Sequence, residues 1–491
     1  MTFNQTERGT ARPSEGPAEL TSGPDGAIPL MPAEEDLVEL GYDVSQITPV
    51  PGALRTSTQM DQFWIWAGAN VAPINWVLGA LGIQFGLSLI DTVAVIIVGN
   101  LIGAALFGFM CIMGHRTGVP QMVLSRATFG RRGAYLPTLM QVLMPIGWVA
   151  INTWVVLDLA MAAFERLGVA GSPELKYSIA VVVMITQVCI AAWGFNAIKY
   201  FERYTMPVIL IIMLVMTGLA FFEVDVQWTV STVSGINRLS AMSSLMTAIG
   251  IGWAIAWLVY ASDYTRFTQK SLTDRQVFKA TFLGLVIPSV WLACLGAMIA
   301  SAGAGADPAQ LIITVFGAMA LPVLLVLVHG PIATNIVVIY SAALSVAALD
   351  LKVKRWVVSL LTGVVAMAVL VGFLQSGSFA ASFQNLMILF VVWISPWGAI
   401  TLLDYFWIKR KLIEVDQLYR APGESLYGDI NWWALASLLM GVFAGWTFQV
   451  GATPALNGPF AEAMGGIDLS WLVGAVVAAG LYLIRPGLRH A

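Results

Sequence analysis

Charged side chains are scarce in this 491-residue chain. Asp, Glu, Lys and Arg together make up only 11% of the residues, whereas apolar residues make up 58%. The mean hydropathy is +0.80. A soluble protein of this length cannot cover its surface with so few polar groups, so the composition excludes a soluble globular protein and indicates an integral membrane protein.

Cysteine and histidine are also scarce, with three residues of each. Cys111, Cys189 and Cys294 lie in separate apolar runs, none with a second cysteine nearby, which argues against disulfides and zinc sites. The chain lacks the G-x-x-x-x-G-K-[ST] pattern of ATP-binding loops and the clustered His, Asp or Glu of an enzyme site. We therefore expect a protein that is not an enzyme, with no cofactor and no nucleic-acid partner.

Apolar runs long enough to cross a bilayer recur along the chain, since a spanning helix needs about 20 mostly apolar residues. Breaks rich in charge, glycine or proline separate twelve such runs, called spans 1 to 12 below. They lie near 62–85, 89–113, 135–164, 176–196, 204–222, 241–261, 276–301, 320–348, 355–375, 383–408, 432–452 and 469–485. The segment 308–317 is too short to span and is expected to form a helix in an outer loop.

The positions of lysine and arginine predict the orientation of these spans. Residues 1–60 carry nine acidic and three basic residues and are expected to form a disordered acidic cytoplasmic tail. With this tail inside, 22 of the 25 basic residues fall on the cytoplasmic side, and Arg166, Lys176 and Arg238 do not. The positive-inside rule therefore predicts twelve spans in the cell membrane with both termini in the cytoplasm.

Span 1 contains the stretch GANVAPINWVLGALG at 68–82, which a simple membrane anchor would not need. Pro73 removes a helical hydrogen bond, and unwound backbone is tolerated at bilayer depth only where it lines a cavity. Carbonyls freed near Gly68 and Val71 could bind a cation, and Asn70 is a candidate for contact with a polar solute. A proline kink without a ligand is the alternative.

Span 6 contains AIGIGWAIAW at 248–257, five spans after the first break. Transporters built from inverted repeats break corresponding helices in both halves. The glycines Gly250 and Gly252, which Trp253 follows directly, therefore predict a second break, and Gly252 is a candidate for substrate contact. Glycines that serve only close helix packing are the alternative.

Span 3 contains GWVAINTW at 147–154. Trp148 and Asn152 are four residues apart and share one helix face. An indole can stack on a flat ring, and an amide can donate to and accept from the edge of a planar heterocycle. Ordinary packing with one interhelical hydrogen bond would explain the pair equally well.

Span 8 contains LVHGPIATNIVVIYS at 327–341, where a further break is predicted at Gly330 and Pro331. The Thr334 hydroxyl and carbonyls near Gly330 are oxygen ligands suited to a small cation. His329 could carry a proton because its pKa is ordinarily near neutrality, although a membrane histidine often only bonds a backbone carbonyl. Asn335 is a candidate for a polar contact with the substrate.

Four segments carry a resemblance to a known family. They are GHRTGVPQMVLSRATFG at 114–130, GFNAIKYFERYTMP at 194–207, ASDYTRF at 261–267 and SPWGAITLLDYF at 395–406. The chain resembles the nucleobase:cation symporter-1 family and, within it, the purine–cytosine permease branch. The resemblance implies an all-α LeuT-like fold with inverted five-helix repeats at about 61–222 and 241–408. These repeats form a transport core over 61–410, and two additional helices follow in 411–491.

The resemblance also implies a substrate site between spans 1, 3, 6 and 8. Trp148 matches the family's stacking residue, with Asn152 as its polar partner. Trp253, or Trp257 if the alignment shifts, matches the aromatic residue on the other ring face. The implied sodium ligands are on spans 1 and 8, at Gly68, Val71, Gly330 and Thr334.

Three positions depart from the family's patterns. A second sodium-binding hydroxyl is replaced by Ala333, which keeps proton coupling through His329 open. The hydantoin branch has Gln and Asn where this chain has Ala72 and Ile339, which argues against hydantoin-like recognition.

The sequence thus predicts a symporter that imports a nucleobase or related planar heterocycle with sodium or protons by alternating access. A transporter of the same fold for hydantoin or allantoin, an amino acid or a quaternary amine is the alternative. Neutral amides beside tryptophan suit an uncharged ring better than a charged amino acid, whereas tryptophan alone could bind a quaternary amine.

Overall fold

The computed structural model describes residues 47–72, 74–193, 195–304, 308–351 and 353–485. Residues 1–46 of the predicted tail, and Pro73 at the predicted break in span 1, lie outside the described residues. The remaining tail residues, 47–60, are packed against the protein rather than disordered, since Arg55 is buried and donates to the Thr268 carbonyl at 3.0 Å, and the first helix of span 1 already begins at Gln59. Within these ranges the chain is helical apart from its loops, and its β structure is limited to an isolated bridge between Ser57 and Thr268.

A helix is found at each of the twelve predicted spans. Spans 1 to 5 contain Gln59–Asn70 with Ile74–Gln84, Leu89–Thr117, Tyr135–Arg166, Pro173–Trp193 and Phe195–Glu223. Span 6 consists of several helical segments within Gly235–Thr265. Spans 7 to 12 contain Asp274–Ile299, Ala320–Leu327 with His329–Ala348, Arg355–Ser376, Phe379–Leu403, Trp432–Thr447 and Ser470–Leu483. Short helices between spans are Gln121–Phe129, Pro308–Phe316 and Pro459–Ala463.

The lengths and hydropathy of these helices fit a membrane protein. Among the described residues, eight helices are long and apolar enough to cross a membrane. Four shorter apolar helices, Ile74–Gln84, Pro207–Phe222, Trp432–Thr447 and Ser470–Leu483, lie in spans 1, 5, 11 and 12. The prediction of an all-α multi-pass protein is therefore confirmed.

Local capping signals fix several helix ends. Thr58 begins span 1, where its hydroxyl accepts from the Asp61 N–H at 3.1 Å and its own N–H donates to the Asp61 carboxylate at 2.7 Å. Ser88 caps span 2 in the same way by accepting from the Asp91 N–H. Gly118 ends span 2 with φ 71°, a left-handed conformation that glycine adopts without strain.

Eight of the spans form two packed groups. Spans 1, 2, 6 and 7 make up one group, and spans 3, 4, 8 and 9 make up the other. Span 7 lies so close to the second half of span 1 that a Cβ on Gly79 would be 1.7 Å from the carbonyl oxygen of Ala293. A Cβ on Gly296 would be 2.0 Å from that of Trp76. Glycine is therefore required on both helices for this approach.

Span 6 is distorted where its break is predicted, but its backbone stays helical. The Ile251 N–H bonds the carbonyl five residues back at 2.8 Å, and the Trp257 N–H bonds the carbonyl three residues back at 3.2 Å. Ile251 has φ −89° and ψ −34°, within the helical region. Because the segment lacks proline, it changes its hydrogen-bond register without unwinding. Gly250 also packs directly against Gly99 of span 2, as glycines in close helix packing do.

Span 8 likewise keeps helical dihedral angles at its predicted break. Its two helices meet at Val328, which has φ −52° and ψ −33°. Pro331 has no N–H to donate to the carbonyl of Leu327, so the gap lies in the hydrogen-bond ladder. The freed carbonyls expected here are thus limited to this one turn.

A buried carboxylate ties span 6 to the last two spans. Asp468 precedes span 12, and its Oδ1 accepts from the Thr247 hydroxyl at 2.9 Å and from the Ser470 hydroxyl at 2.7 Å. Its Oδ2 accepts from the Val450 N–H at 2.8 Å. The wide helical turn of span 6, at Met246–Gly250, is therefore anchored to the loop between spans 11 and 12.

Candidate functional site

A small chamber with a volume of about 20 Å³ lies between the two helix groups. Its lining residues come from spans 1, 3, 6 and 8, the four spans that the resemblance implies. Each helix group contributes two of these spans. The lining residues are Ala69, Ala72 and Ile74 of span 1, Trp148 and Asn152 of span 3, Trp253, Ala256, Trp257 and Tyr260 of span 6, and Thr334 and Val338 of span 8.

The interruption of span 1 forms one wall of this chamber. Val71 ends the first helix with φ −81° and ψ 73°, and the second helix begins at Ile74. Asn75 Nδ2 donates to the carbonyl oxygen of Asn70, and the Asn75 N–H donates to that of Ala72 at 3.0 Å. The second asparagine therefore satisfies carbonyls that the interruption would leave unpaired in the membrane.

The Asn70 side chain is fully buried and is hydrogen-bonded through both amide atoms. Its Nδ2 donates to the Trp66 carbonyl at 2.8 Å. Its Oδ1 accepts from Trp253 Nε1 at 2.8 Å and from Ser289 Oγ at 3.0 Å. Because an indole N–H only donates and a carbonyl only accepts, the orientation of this amide is fixed. We call Asn70, Trp66, Trp253 and Ser289 the Asn70 group.

Asn70 itself does not line the chamber, so its predicted contact with the substrate stays a prediction. Asn70 instead orients Trp253, because Asn70 Oδ1 accepts from Trp253 Nε1, and Trp253 lines the chamber. The Asn70 group joins spans 1, 6 and 7, all within one helix group.

A second polar cluster lies on the opposite side of the chamber, in spans 3, 4 and 8. Asn335 Nδ2 donates to Gln187 Oε1 at 2.9 Å, and lies 3.2 Å from both Thr153 Oγ1 and the Val149 carbonyl oxygen. Asn335 Oδ1 accepts from Asn152 Nδ2 at 3.1 Å. We call Asn335, Asn152, Thr153, Gln187 and the Val149 carbonyl the Asn335 group. Asn152 lines the chamber, whereas Asn335 is fully buried behind it.

The aromatic side chains close the chamber. The Trp148 and Trp253 ring centroids are 5.5 Å apart with an interplanar angle of 90°, so the indoles meet edge to face. Phe390 packs against Trp148 at 5.7 Å. A volume of about 20 Å³ holds roughly one water molecule. A planar ring can stack on Trp148 only after the two indoles move apart.

Of the predicted cation ligands on spans 1 and 8, Thr334 lines the chamber, and Gly68, Val71 and Gly330 do not. The Gly68 carbonyl accepts from the Val71 N–H at 3.3 Å, and the Thr334 hydroxyl donates to the Gly330 carbonyl at 3.1 Å. Gly330 and Thr334 thus present two oxygens that could share one cation once the hydroxyl proton turns away. The described residues contain no group of three His, Cys, Asp or Glu that could hold a metal ion. These four residues remain predicted ligands.

His329 is placed differently from Thr334, which lines the chamber. It is the first residue of the second helix of span 8, is half-buried, and does not line the chamber. Thr334 follows it by five positions, which is about 140° around a helix. The two side chains therefore point in different directions, and a coupling role for His329 stays a prediction.

Gly252 also lies outside the chamber lining. A Cβ at this position would be 1.9 Å from the Thr247 carbonyl oxygen and 3.1 Å from Val391, so glycine is required by the packing of span 6. Its predicted substrate contact is untested. Trp253 and Trp257 both line the chamber, so both alternatives from the sequence lie at the site.

Three residues at or beside the site, Tyr260, Gln187 and Ser289, are not among those predicted from the sequence. Tyr260 follows Trp253 by seven residues, and two helical turns place both on the same face. Gln187 and Ser289 are polar residues within the mostly apolar spans 4 and 7. A polar residue at membrane depth is itself a signal of function or of a hydrogen-bonded partner.

Solved structures of similar fold include the transporter Mhp1. Its inward-facing conformation matches with a TM-score of 0.72 and 20% identity, over 90% of this chain and 92% of Mhp1. Its closed conformation with bromovinylhydantoin bound matches with a TM-score of 0.70 and 19% identity, over 89% of this chain and 93% of Mhp1. These matches confirm the predicted LeuT-like fold.

Relatives of similar sequence extend over nearly the whole chain. YxlA of Bacillus subtilis, which carries the name of a purine-cytosine permease, is 27% identical over 90% of this chain and 95% of its own length. The purine-cytosine permease fcyB of Emericella nidulans is 25% identical over 91% of this chain and 89% of its own. The family model for permeases of cytosine/purines, uracil, thiamine and allantoin matches residues 49–474. The chain is therefore a membrane permease and not an enzyme, and it belongs to this family, the nucleobase:cation symporter-1 family.

Proposed function

We propose that this protein imports a nucleobase of the cytosine or purine type, or a related planar heterocycle, as a secondary active symporter. It acts in the cell membrane with both termini in the cytoplasm, as the distribution of basic residues indicates. A sodium or proton gradient supplies the energy. Access to the chamber alternates as the group of spans 1, 2, 6 and 7 moves relative to the group of spans 3, 4, 8 and 9.

The convergence of Trp148, Trp253 and Asn152 on one chamber carries this proposal. Two indoles offer ring faces for stacking, and the amide offers a hydrogen bond at the ring edge. The lining residues are uncharged, so a free amino acid would leave its ammonium and carboxylate without partners. An uncharged heterocycle fits this chamber better.

A quaternary amine is the second candidate, because three tryptophans and Tyr260 line the chamber. Such aromatic cages bind trimethylammonium groups through cation–π attraction. Asn152 would then make no hydrogen bond with the ligand, since a quaternary ammonium has no N–H to donate.

The position of the aromatic residues supports a mechanism of coupling. Trp148 belongs to one helix group and Trp253 to the other, so a ring held between them favours one arrangement of the two groups. The predicted cation ligands are divided in the same way, with Gly68 and Val71 in one group and Gly330 and Thr334 in the other. Substrate and cation that both favour the same arrangement are thermodynamically coupled.

Of the two driving ions, sodium has the better support. Thr334 lines the chamber that also contacts the interruption of span 1 at Ala69 and Ala72. His329 does not line this chamber, so a proton there would act on the substrate only indirectly. Sodium at Thr334 would act directly on both helix groups.

Uptake into sealed vesicles tests the proposed function. Labelled cytosine, adenine, uracil, allantoin, hydantoin and choline are offered while sodium and proton gradients are imposed separately. We expect gradient-driven uptake of cytosine or adenine and none of choline. Uptake of choline alone would overturn the nucleobase proposal and favour the quaternary amine.

Replacement of Trp148 tests the chamber as the binding site. Trp148→Ala is expected to lower nucleobase affinity about 100-fold, since stacking of a base on an aromatic side chain contributes about 1–3 kcal/mol. Trp148→Phe keeps a ring face and is expected to retain most of the affinity. Equal affinity of Trp148→Ala and the wild-type protein would remove Trp148 from the site.

A further inference from the structure

The Val149 carbonyl, which can only accept hydrogen bonds, fixes the orientation of the amides in the Asn335 group. The Thr153 hydroxyl donates to the Val149 carbonyl at 2.7 Å, so its oxygen lone pairs must face donors. The two groups that contact it are therefore N–H groups, Gln187 Nε2 at 3.0 Å and Asn335 Nδ2 at 3.2 Å. Asn335 Nδ2 also lies 3.2 Å from the Val149 carbonyl, which can only accept.

The orientation of the Asn335 amide in turn fixes the orientation of the Asn152 amide. With its Nδ2 directed at Val149 and Thr153, Asn335 turns its Oδ1 toward Asn152 at 3.1 Å. An oxygen of Asn152 at that position would repel it, so Asn152 must direct its Nδ2 there. Asn152 Oδ1 has no hydrogen-bond partner within the part of the chain that the structure describes, and this side chain lines the chamber.

We infer that Asn152 offers the substrate a hydrogen-bond acceptor, and that Asn335 sets this polarity without touching the substrate. Asn335 is thus a positioning residue, and the chamber selects heterocycles with an N–H or amino group at the edge that faces span 3. The inference rests on the proposed function, because it assumes that a heterocycle occupies the chamber.

The chemistry of an occupied chamber explains the selection. A ligand with a ring nitrogen or carbonyl oxygen at that edge would place two acceptors against each other. Asn152 Oδ1 would remain unsatisfied in a buried site, and sites built around such hydrogen bonds strongly reject ligands that lack the partner group. Even if the second hydrogen of Asn152 Nδ2 also contacts the ligand, Oδ1 still requires a donor.

Methylated analogues locate the required N–H group. The cytosine series contains 1-methylcytosine and N4,N4-dimethylcytosine, which remove N–H groups, and 5-methylcytosine, which adds bulk without removing one. The adenine series contains 9-methyladenine, N6,N6-dimethyladenine and 2-methyladenine in the same roles. Affinities are measured by competition with the labelled parent base. We expect one N-methyl analogue in each bound series to bind about tenfold more weakly than the C-methyl analogue.

Variants at Asn335 separate hydrogen bonding from steric effects. Asn335→Leu removes the group that orients Asn152, so the Asn152 amide is free to rotate and the tenfold discrimination should fall to about twofold or less. Asn335→Ser is the second variant, because its hydroxyl can bond its own helix if leucine prevents folding. Thr138→Val is the matched control, since Thr138 is a buried threonine of span 3 that bonds the Ala134 carbonyl.

The ratio of affinities distinguishes positioning from a merely structural role. A structural defect lowers the affinity for all analogues equally and leaves the ratio unchanged, and that result at Asn335→Leu or Asn335→Ser would overturn the inference. A wild-type protein that binds a base but tolerates N-methyl and C-methyl groups equally would overturn the inference alone. A wild-type protein that binds neither base overturns the proposed function and the inference with it.

Discussion

The Asn70 group and the Asn335 group are both built around a fully buried asparagine, one on each side of the chamber. In the Asn70 group both amide atoms are used within the protein, and the result is a fixed Trp253 indole. In the Asn335 group the chain of hydrogen bonds ends at Asn152 with an oxygen that faces the chamber. A buried amide in a membrane span is therefore not by itself a substrate ligand.

The difference lies in where each hydrogen-bond chain ends. In a closed group such as that of Asn70, every hydrogen-bonding atom of the central amide has a partner within the protein, which contributes to stability. In an open group such as that of Asn335, one acceptor, Asn152 Oδ1, is left to accept from a donor of the ligand. The first group supports the shape of the chamber, and the second adds selectivity to it.

The largest expected effect comes from Asn70→Leu, which breaks the closed group. Trp253 Nε1 and the Ser289 hydroxyl lose their acceptor in a buried place, so we expect a loss of about 2–4 kcal/mol in stability. The affinities for all nucleobase analogues should fall by a common factor because Trp253 loses its orientation. Unfolding in detergent micelles and ligand competition measure the two effects.

Asn100→Leu provides the matched control for this loss. Asn100 is a buried asparagine of span 2 whose Nδ2 donates to the Ile96 carbonyl of its own helix. Its replacement leaves no donor of another span unpaired. Equal destabilisation by Asn70→Leu and Asn100→Leu would show that the bonds to Trp253 and Ser289 contribute no more to stability than the bond of Asn100 within its own helix.

A smaller effect is expected from Thr334→Ala, which acts at the boundary between the two groups. The substitution removes one of the predicted sodium ligands and should raise the sodium concentration for half-maximal uptake about tenfold. Thr334→Ser keeps the hydroxyl and should behave like the wild-type protein. If sodium dependence is the same in all three proteins, Thr334 is not a sodium ligand and His329→Gln should be tested under a proton gradient.

The smallest effect is expected from Ser289→Ala. Asn70 Oδ1 keeps its bond from Trp253, so only one hydrogen bond of about 0.5–1 kcal/mol is lost. Affinities should change by about twofold or less, and the ratio between N-methyl and C-methyl analogues should stay unchanged. A changed ratio would show that the closed group also takes part in selectivity, which would contradict the division between the two groups.

Much of the fold could be predicted from the sequence because hydropathy and charge act locally. Each apolar run predicts its own helix, and glycine, proline and the capping residues mark the ends. The distortion in span 6 was harder to predict. Gly250 and Gly252 are consistent with either a broken helix or close packing, and only the contact with Gly99 of span 2 reveals the packing.

The site could be predicted only in part. Trp148 and Asn152 share a helix face, which four-residue spacing alone shows. The roles of Asn70 and Asn335 depend on partners that are far away in the sequence, since Ser289 is 219 residues from Asn70 and Gln187 is 148 residues from Asn335. No local pattern tells which end of an amide such a partner will occupy.

The bond between Thr247 and Asp468 bears on how far this transporter could be shortened. A chain that stops after the tenth helix would lack Asp468, and the Thr247 hydroxyl would lose its acceptor at the widened turn of span 6. Spans 11 and 12 therefore stabilise span 6, the helix that carries Trp253. A minimal ten-helix version would have to be engineered with an apolar residue at position 247 before it could be stable in lipid.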